Sequence, residues 1–312
     1  MMEQSGAKSA GAGDSCCGRV LAGKYRLIRV IARGGFGQVY LAQDLHLEKY
    51  WAVKEIPKSM AGGIGQIRRE AALLGNRQHP GLPVVVDLVE EADACYVVME
   101  YVAGVTLVQA VGQRGVFDRQ ECIAYMKQLA QILGYLHKQR PPVCYLDMKP
   151  ENVLLTQEGR LVLVDFGAAM ELEGAACNRG ACYGTYGYAP PEQCGMTGQQ
   201  VCDQRSDIYA LGATVYFLLT GYDPSRPPFG IRPFEEWEEK AGKKLGRILC
   251  TCLMKEPEKR FQTIQELLFE LQECRGERSG AWSLCKGVLC RRRFFIRQEK
   301  SIFLTEKERV GL

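Results

Sequence analysis

The sequence predicts an α+β fold in two lobes: a smaller sheet-rich lobe carrying one helix, then a larger, mainly helical one. Three observations point there. Up to about Val98 the apolar residues alternate with period two in short runs such as YRLIRVI, VYLAQD and YWAVKEI, as half-buried strands require. Beyond residue 102 the period becomes helical, in FDRQECIAYMKQLAQILGYLH and SDIYALGATVYFLLTG. The chain, at 312 residues, is long enough for two separate cores. The expected divisions are a disordered arm over 1–22, a first lobe over 23–101, a second over 102–276 and a basic tail over 277–312.

The arm is rich in Gly, Ala and Ser, a composition that buries too little to order itself. After the first strand comes IARGGFGQVY, from Ile31 to Tyr40. By itself this reads as a hairpin turn with glycine at positive φ. Lys54 follows fifteen residues after Val39, beside Ala52 and Val53 on a strand; a single strand lysine is ordinarily just solvated. The one helix of this lobe is IGQIRREAALLGNRQHP, with Ile67, Ala71 and Leu74 at helical spacing and Glu70 beside Arg68 and Arg69. In the second lobe Asp118 and Glu121 form a capping-box start, and Met126, Leu129, Leu133 and Leu136 make one apolar stripe, which is core.

Next comes YLDMKPENVLL, with Asp147, Lys149 and Asn152 inside six residues; Asp165, in VDFG, follows thirteen residues after Asn152. Two acids, an amide and a lysine near a short loop are what phosphoryl transfer from a metal nucleotide needs. One acid orients the attacking hydroxyl, while the amide and the second acid hold a divalent metal on the phosphates. GTYGYAPPEQ runs from Gly184 to Gln193. The helix after it has Ser206 and Asp207 as N-cap residues and Gly221 as its C-terminal stop, and it is apolar nearly all round, so it is buried. The Pro-rich stretch from Tyr222 to Phe234 reads as a connection rather than a partner surface, and Arg260 stands in EPEKRF.

In this order the motifs resemble those of a serine/threonine-type protein kinase, similar to the eukaryotic-like kinases of bacteria, over about residues 24–274. The resemblance implies the two-lobed protein-kinase-like fold, its small lobe an antiparallel sheet. It implies ATP with Mg2+, or Mn2+ as the alternative metal, and protein substrates with serine or threonine hydroxyls. Asp147 and Lys149 take the catalytic positions, with Asn152 and Asp165 on the metal. Ala32, Gly34, Gly35, Phe36 and Gly37 form the phosphate loop. Lys54, paired with Glu70, anchors the α- and β-phosphates. Val39, Ala52 and Leu154 sandwich the adenine, Met99 is the gatekeeper, and Glu100 to Val102 form the hinge. Thr185 bonds to the catalytic Asp and Lys, Glu192 pairs with Arg260, and Asp207 braces the catalytic-loop backbone.

The chain departs from the family pattern at three points. Ala32 replaces the first glycine of the phosphate loop, at some cost in nucleotide affinity. Tyr145 and Leu146 precede Asp147 where the usual pair is His-Arg. Tyr145 can keep the stacking role, against Phe166 and through it Leu74 and Leu88, but Leu146 cannot bind a phosphate on the activation loop. Between Asp165 and Glu192 there is no serine, and Thr185 is the only threonine; Tyr183 and Tyr186 read as packing residues rather than acceptors. Activity is therefore expected not to require activation-loop phosphorylation. Finally, position 106 is Thr, where members preferring basic substrates often carry an acid, leaving Glu151 for a weak basic preference. A pseudokinase is disfavoured because Lys54, Glu70, Asp147, Asn152 and Asp165 are all present, and a small-molecule kinase because GTYGYAPPEQ forms a peptide platform.

The bulk properties bound the rest. The net charge is +4, and the tail from 275 to 300 alone carries eight Lys or Arg against two Glu. The body is near neutral, so nucleic acid is not an expected partner. The tail, with AWSLCKGVLCRRRFFIR, offers weak contact with an anionic membrane surface, docking on the large lobe, or a solvated end, and the last is favoured. No run spans a bilayer and no secretory signal is present. The fourteen cysteines lack zinc-ligand spacing. They are read as reduced structural thiols of a cytoplasmic protein, including Cys177, Cys182, Cys194 and Cys202 in or near the activation segment. His46, His79 and His137 read as isolated and receive no catalytic role.

Overall fold

The computed structural model describes residues 17–34, 37–59, 73, 75, 78–172, 177–178, 184–195 and 201–274. They fall into two compact units, one drawn from residues up to 77 with 84–101, the other from 78–83 with 102 onward. Expectations for the arm up to residue 16, for Gly35, Phe36, Glu70, Leu74, Cys182 and Tyr183, and for the tail beyond 274 lie outside the described residues.

The first unit is built on one antiparallel sheet: β1 (Val20–Leu21), β2 (Tyr25–Gly34), β3 (Gly37–Asp44), β4 (Tyr50–Pro57), β5 (Val85–Glu90) and β6 (Ala94–Glu100), ordered β1-β2-β3-β4-β6-β5. Successive strand side chains point to opposite faces. On β6, Ala94, Tyr96 and Val98 join a core with Tyr25, Leu27, Tyr40 and Val53, while Cys95 and Val97 join Ile56 in another. Both faces of β6 are thus buried, and its sequence is continuously apolar for that reason. The buried tyrosines find acceptors for their hydroxyls. Tyr40 and Tyr96 donate to Glu55 at 2.8 and 3.1 Å, and Tyr25 donates to Asp87 at 3.0 Å.

The β2–β3 hairpin closes with Gly34 opposite Gly37. Gly37 has φ +131°, and a Cβ there would stand 1.9 Å from the Glu55 carbonyl oxygen on β4. Only glycine fits that combination.

The second unit holds the helices α1 (Leu107–Arg114), α2 (Arg119–His137), α3 (Gln204–Thr220), α4 (Glu238–Cys252) and α5 (Ile264–Glu273). Its small sheets are β10-β9-β7, from Leu161–Leu163, Val153–Thr156 and Gly104–Thr106; β8 (Val143–Cys144) with β11 (Met170–Glu171); and β12 (Cys177–Asn178) with β13 (Val201–Cys202). Helix α2 starts with the expected box: Asp118 accepts from the Glu121 N–H, and Glu121 from the Asp118 N–H. Its stripe of Met126, Leu129, Leu133 and Leu136 is fully buried, packed where α2 meets α3 and α5. Among the described residues no helix is long and apolar enough to cross a membrane.

Two boundaries differ from the sequence expectation. Helix α3 is capped by Asp203, not by Ser206 or Asp207, because the Asp203 carboxylate accepts from the Arg205 N–H at 2.7 Å. Ser206 and Asp207 lie in the first turn, where their buried side chains serve distant partners. The C-terminal end is as expected: Gly221 is left-handed at φ 75°, and its N–H donates to the Phe217 carbonyl. Residues 78–83 precede β5 in sequence yet belong to the second unit. The Leu163 N–H donates to Gly81 O at 2.9 Å, and the Gln78 N–H to the Tyr135 hydroxyl at 3.1 Å.

Candidate active site

The loop after β8 turns through a short 3-10 helix, Pro150–Asn152, and leads into β9. Three side chains converge there on the Asp147 carboxylate. The Asn152 amide nitrogen donates to the Asp147 carbonyl oxygen at 2.9 Å and to its Oδ2 at 2.8 Å. The Lys149 ammonium lies 2.9 Å from the same Oδ2. The Thr185 hydroxyl donates to Asp147 Oδ1 at 3.2 Å and accepts from Lys149 Nζ at 2.7 Å. A carboxylate fixed at both oxygens by an ammonium, an amide and a hydroxyl is pre-oriented, and its direction costs nothing further when an acceptor arrives. Asp165 is brought alongside because the Val164 N–H donates to the Asn152 carbonyl at 2.9 Å. Asp165 itself sits at φ 66°, with its Oδ1 accepting from the Gly167 N–H at 3.2 Å.

The loop is anchored from below. Asp207, fully buried, accepts from the N–H groups of Tyr145 and Leu146 at 2.9 and 2.8 Å, and from His137 Nε2 at 2.8 Å. The Gln193 amide donates to Leu146 O at 2.6 Å. Leu146 is one of few non-glycine residues at positive φ, 62°. Asp207 on its N–H and Gln193 on its carbonyl hold that strained conformation from both ends. Tyr145 packs edge-on to Phe166, with ring centroids 5.0 Å apart, and its hydroxyl donates to Val164 O. At the end of the segment, Glu192 takes two bonds from Arg260 at 2.7 and 2.9 Å and one from Ser206 at 2.9 Å. This pair is buried on both sides.

In the first unit, Lys54 is 5% exposed on β4, paired in register with Val39, while Ala52 faces Met99 across β4–β6. An ammonium so nearly buried on a strand is unusual, since burial disfavours its charge unless a partner compensates. Ala32 lies opposite Val39. The Glu100 N–H is already committed to Val84 O at 2.8 Å. In the second unit, Leu154 is paired with Thr106 and Val162, and Val102 is buried.

The model of the protein kinase domain matches residues 25–271. The chain belongs to the protein kinase family. It is 29% identical over 265 residues to the serine/threonine-protein kinase PrkC of Bacillus subtilis, a match covering 80% of this chain and 40% of that protein. Serine/threonine-protein kinase C of Synechocystis is 31% identical, with 84% and 53% covered. PknA of Nostoc is 30% identical, with 81% and 48% covered. The chain thus spans about half the length, or less, of these curated relatives.

Sequence reasoning missed three members of the kinase-domain site. His137 is no isolated histidine but a ligand of Asp207, and Gln193 and Ser206 are buried bracing groups. His137 had a legible signal: it extends the buried stripe from Leu133 by one turn, and a polar residue at a core position needs a partner. Thr106 caps α1 in a capping box with Gln109, which gives that position a structural reason. His137, Cys144 and Asp207 bring a nitrogen, a thiol and a carboxylate within 4.8 Å, but the carboxylate is already engaged by three donors. Tyr186 packs edge-on to Phe229 at 5.4 Å.

Proposed function

We propose that this chain is an active serine/threonine protein kinase, transferring the γ-phosphate of ATP to serine or threonine hydroxyls of protein substrates. The observation that carries this reading is the Asp147 carboxylate held by Lys149, Asn152 and Thr185. Asp147 accepts the hydrogen bond of the incoming hydroxyl and aims its oxygen at phosphorus, while Lys149 steadies the γ-phosphate. Asn152 and Asp165 offer amide and carboxylate oxygens, the hard donors that Mg2+ or Mn2+ takes. The amide nitrogen of Asn152 faces Asp147, so its oxygen is the end that meets a cation. The metal, when bound, neutralises charge on the phosphates.

Lys54 anchors the α- and β-phosphates, and Ala32, Gly34 and Gly37 serve the phosphate loop. Val39, Ala52 and the gatekeeper Met99 serve the adenine from the first unit. Three relatives named as serine/threonine kinases support the substrate class. The proposed setting is cytoplasmic signalling. Leu146 is 5% exposed and apolar, which supports activity without a loop phosphate.

The test is to incubate the pure chain with labelled ATP, magnesium and a generic protein acceptor. The expected result is label on serine or threonine. Asp147→Asn should keep nucleotide affinity and lose turnover on the order of a thousandfold. An inert wild type, or an Asp147→Asn variant as fast as wild type, would overturn the reading.

A further inference from the structure

We propose that Gln193 is a positioning residue for the phosphotransfer assigned to Asp147, on which this role depends. Its side-chain amide fixes the peptide unit that carries Asp147 and ties it to the segment that carries Thr185. Gln193 is 5% exposed, and its Nε2 donates to the Leu146 carbonyl oxygen at 2.6 Å. That carbonyl belongs to the peptide plane that enters Asp147. Leu146 stands at φ 62°, a region costly for any residue with a Cβ. Relaxation of Leu146 to a negative φ would turn that plane and draw the Asp147 carboxylate away from Lys149, Asn152 and Thr185.

The glutamine reaches Leu146 from an anchored backbone. Its own N–H donates to Pro190 O at 3.0 Å, and the Cys194 N–H donates to the same carbonyl at 3.2 Å. The residue before it, Glu192, is held by Arg260 and Ser206. The other flank of the amide is Gly184. A Cβ there would stand 2.5 Å from Gln193 Nε2 and 2.9 Å from the Ala189 Cβ, and Gly184 has φ +149°. Glycine at 184 leaves the amide its place, immediately before Thr185, whose hydroxyl meets Asp147 and Lys149. One buried side chain thus lies against both the residue before Asp147 and the residue before Thr185.

Asp207 holds the N–H side of Leu146 and Gln193 the carbonyl side, and the two grips do different things. Asp207 fixes where the loop leaves β8. Gln193 fixes the plane from which Asp147 starts, and so the direction of its carboxylate. A carboxylate aimed off line leaves the groups that bind nucleotide where they are. The loss therefore falls on turnover rather than on ATP binding. Misplacing a catalytic group by about an ångström costs on the order of a hundredfold in rate.

The test is to make Gln193→Met in the full chain, which keeps the length of the side chain and removes its donor, with Gln193→Leu as a second variant. Steady-state rates with ATP, magnesium and a generic protein acceptor are read beside thermal unfolding and amide hydrogen exchange. In both variants kcat should fall about ten- to a hundredfold while KM for ATP stays within about twofold of wild type. Both should remain folded at the assay temperature. Exchange at the Leu146 N–H, which donates to Asp207, should quicken several-fold while that at Leu133 in α2 holds. An inert wild type would overturn the proposed activity and with it any role in the transfer. An active wild type with kcat unchanged in both variants would overturn the positioning role alone. So would a fall in rate matched by an equal loss of folded protein, a raised KM for ATP at unchanged kcat, or Leu146 exchange that does not respond.

Discussion

Thr185 is a single hydroxyl that serves two catalytic-loop residues at once, donating to Asp147 and accepting from Lys149. Thr185→Val keeps the shape and removes both bonds. Each is worth about 1–3 kcal/mol when a charged group is left short of a partner, so turnover should fall roughly ten- to a hundredfold. Nucleotide affinity should hold, and Thr185→Ser should recover most of the rate. Steady-state kinetics with separate nucleotide titrations check this; an unchanged rate in the valine variant would remove Thr185 from the site. Glycines 34 and 37 make a second contrast. A methyl at Gly37 meets the β4 backbone, whereas one at Gly34 meets nothing within 4 Å among the described residues. Gly37→Ala should cost about 1–3 kcal/mol of stability, read as a lower Tm. Gly34→Ala should leave Tm in place and act, if at all, on ATP binding. Equal melting of the two variants would contradict this assignment.

Among the elements, α3 shows what local sequence can and cannot disclose. Its stop at Gly221 and its all-round apolar character were legible because both are local properties. Its start was misplaced by Ser206 and Asp207, which are good caps in isolation but whose side chains are spent on Glu192 and on the loop backbone. No windowed pattern distinguishes a capping aspartate from one serving residues sixty positions away. The same holds for residues 78–83 and for Gln193. Helix α4 repeats the theme: it breaks at Gly242 (φ 66°), and the carbonyls of Glu239 and Lys240 there accept from Arg119 of α2. At the end of the segment, Arg260 donates to Glu192 and to the carbonyls of Met254, Lys255 and Arg205. Arg260→Met would strand a buried carboxylate, a loss of about 3–5 kcal/mol. Chemical denaturation should show it, and pairing the change with Glu192→Leu should return part of it. If the single variant lost no stability, the pair would be ornamental.

At the scale of the whole chain, the sequence disclosed the family, the order of its motifs and the residues that converge on Asp147, because those motifs are short and regularly spaced. What it hid was the support: His137, Gln193 and Ser206 reach their partners across long sequence separations. That support bears on regulation. Complete dephosphorylation, verified by mass spectrometry, should leave most of the initial rate. A large fall, restored by phosphate on Tyr183, Thr185 or Tyr186, would sink the idea and require a basic residue elsewhere to have replaced the missing arginine. The buried carboxylate of Asp207 has a last consequence. It ties the backbone of Tyr145 and Leu146 directly to the first turn of α3 and, through His137, to the last turn of α2. A loop fastened to the two most buried helices of its unit has no melting transition of its own. On heating, phosphotransfer should follow its ordinary temperature dependence right up to the unfolding of the second unit and then vanish with it. The inactivation curve and the far-ultraviolet unfolding curve should superimpose; in Asp207→Asn they should separate, activity failing at a lower temperature than the helices.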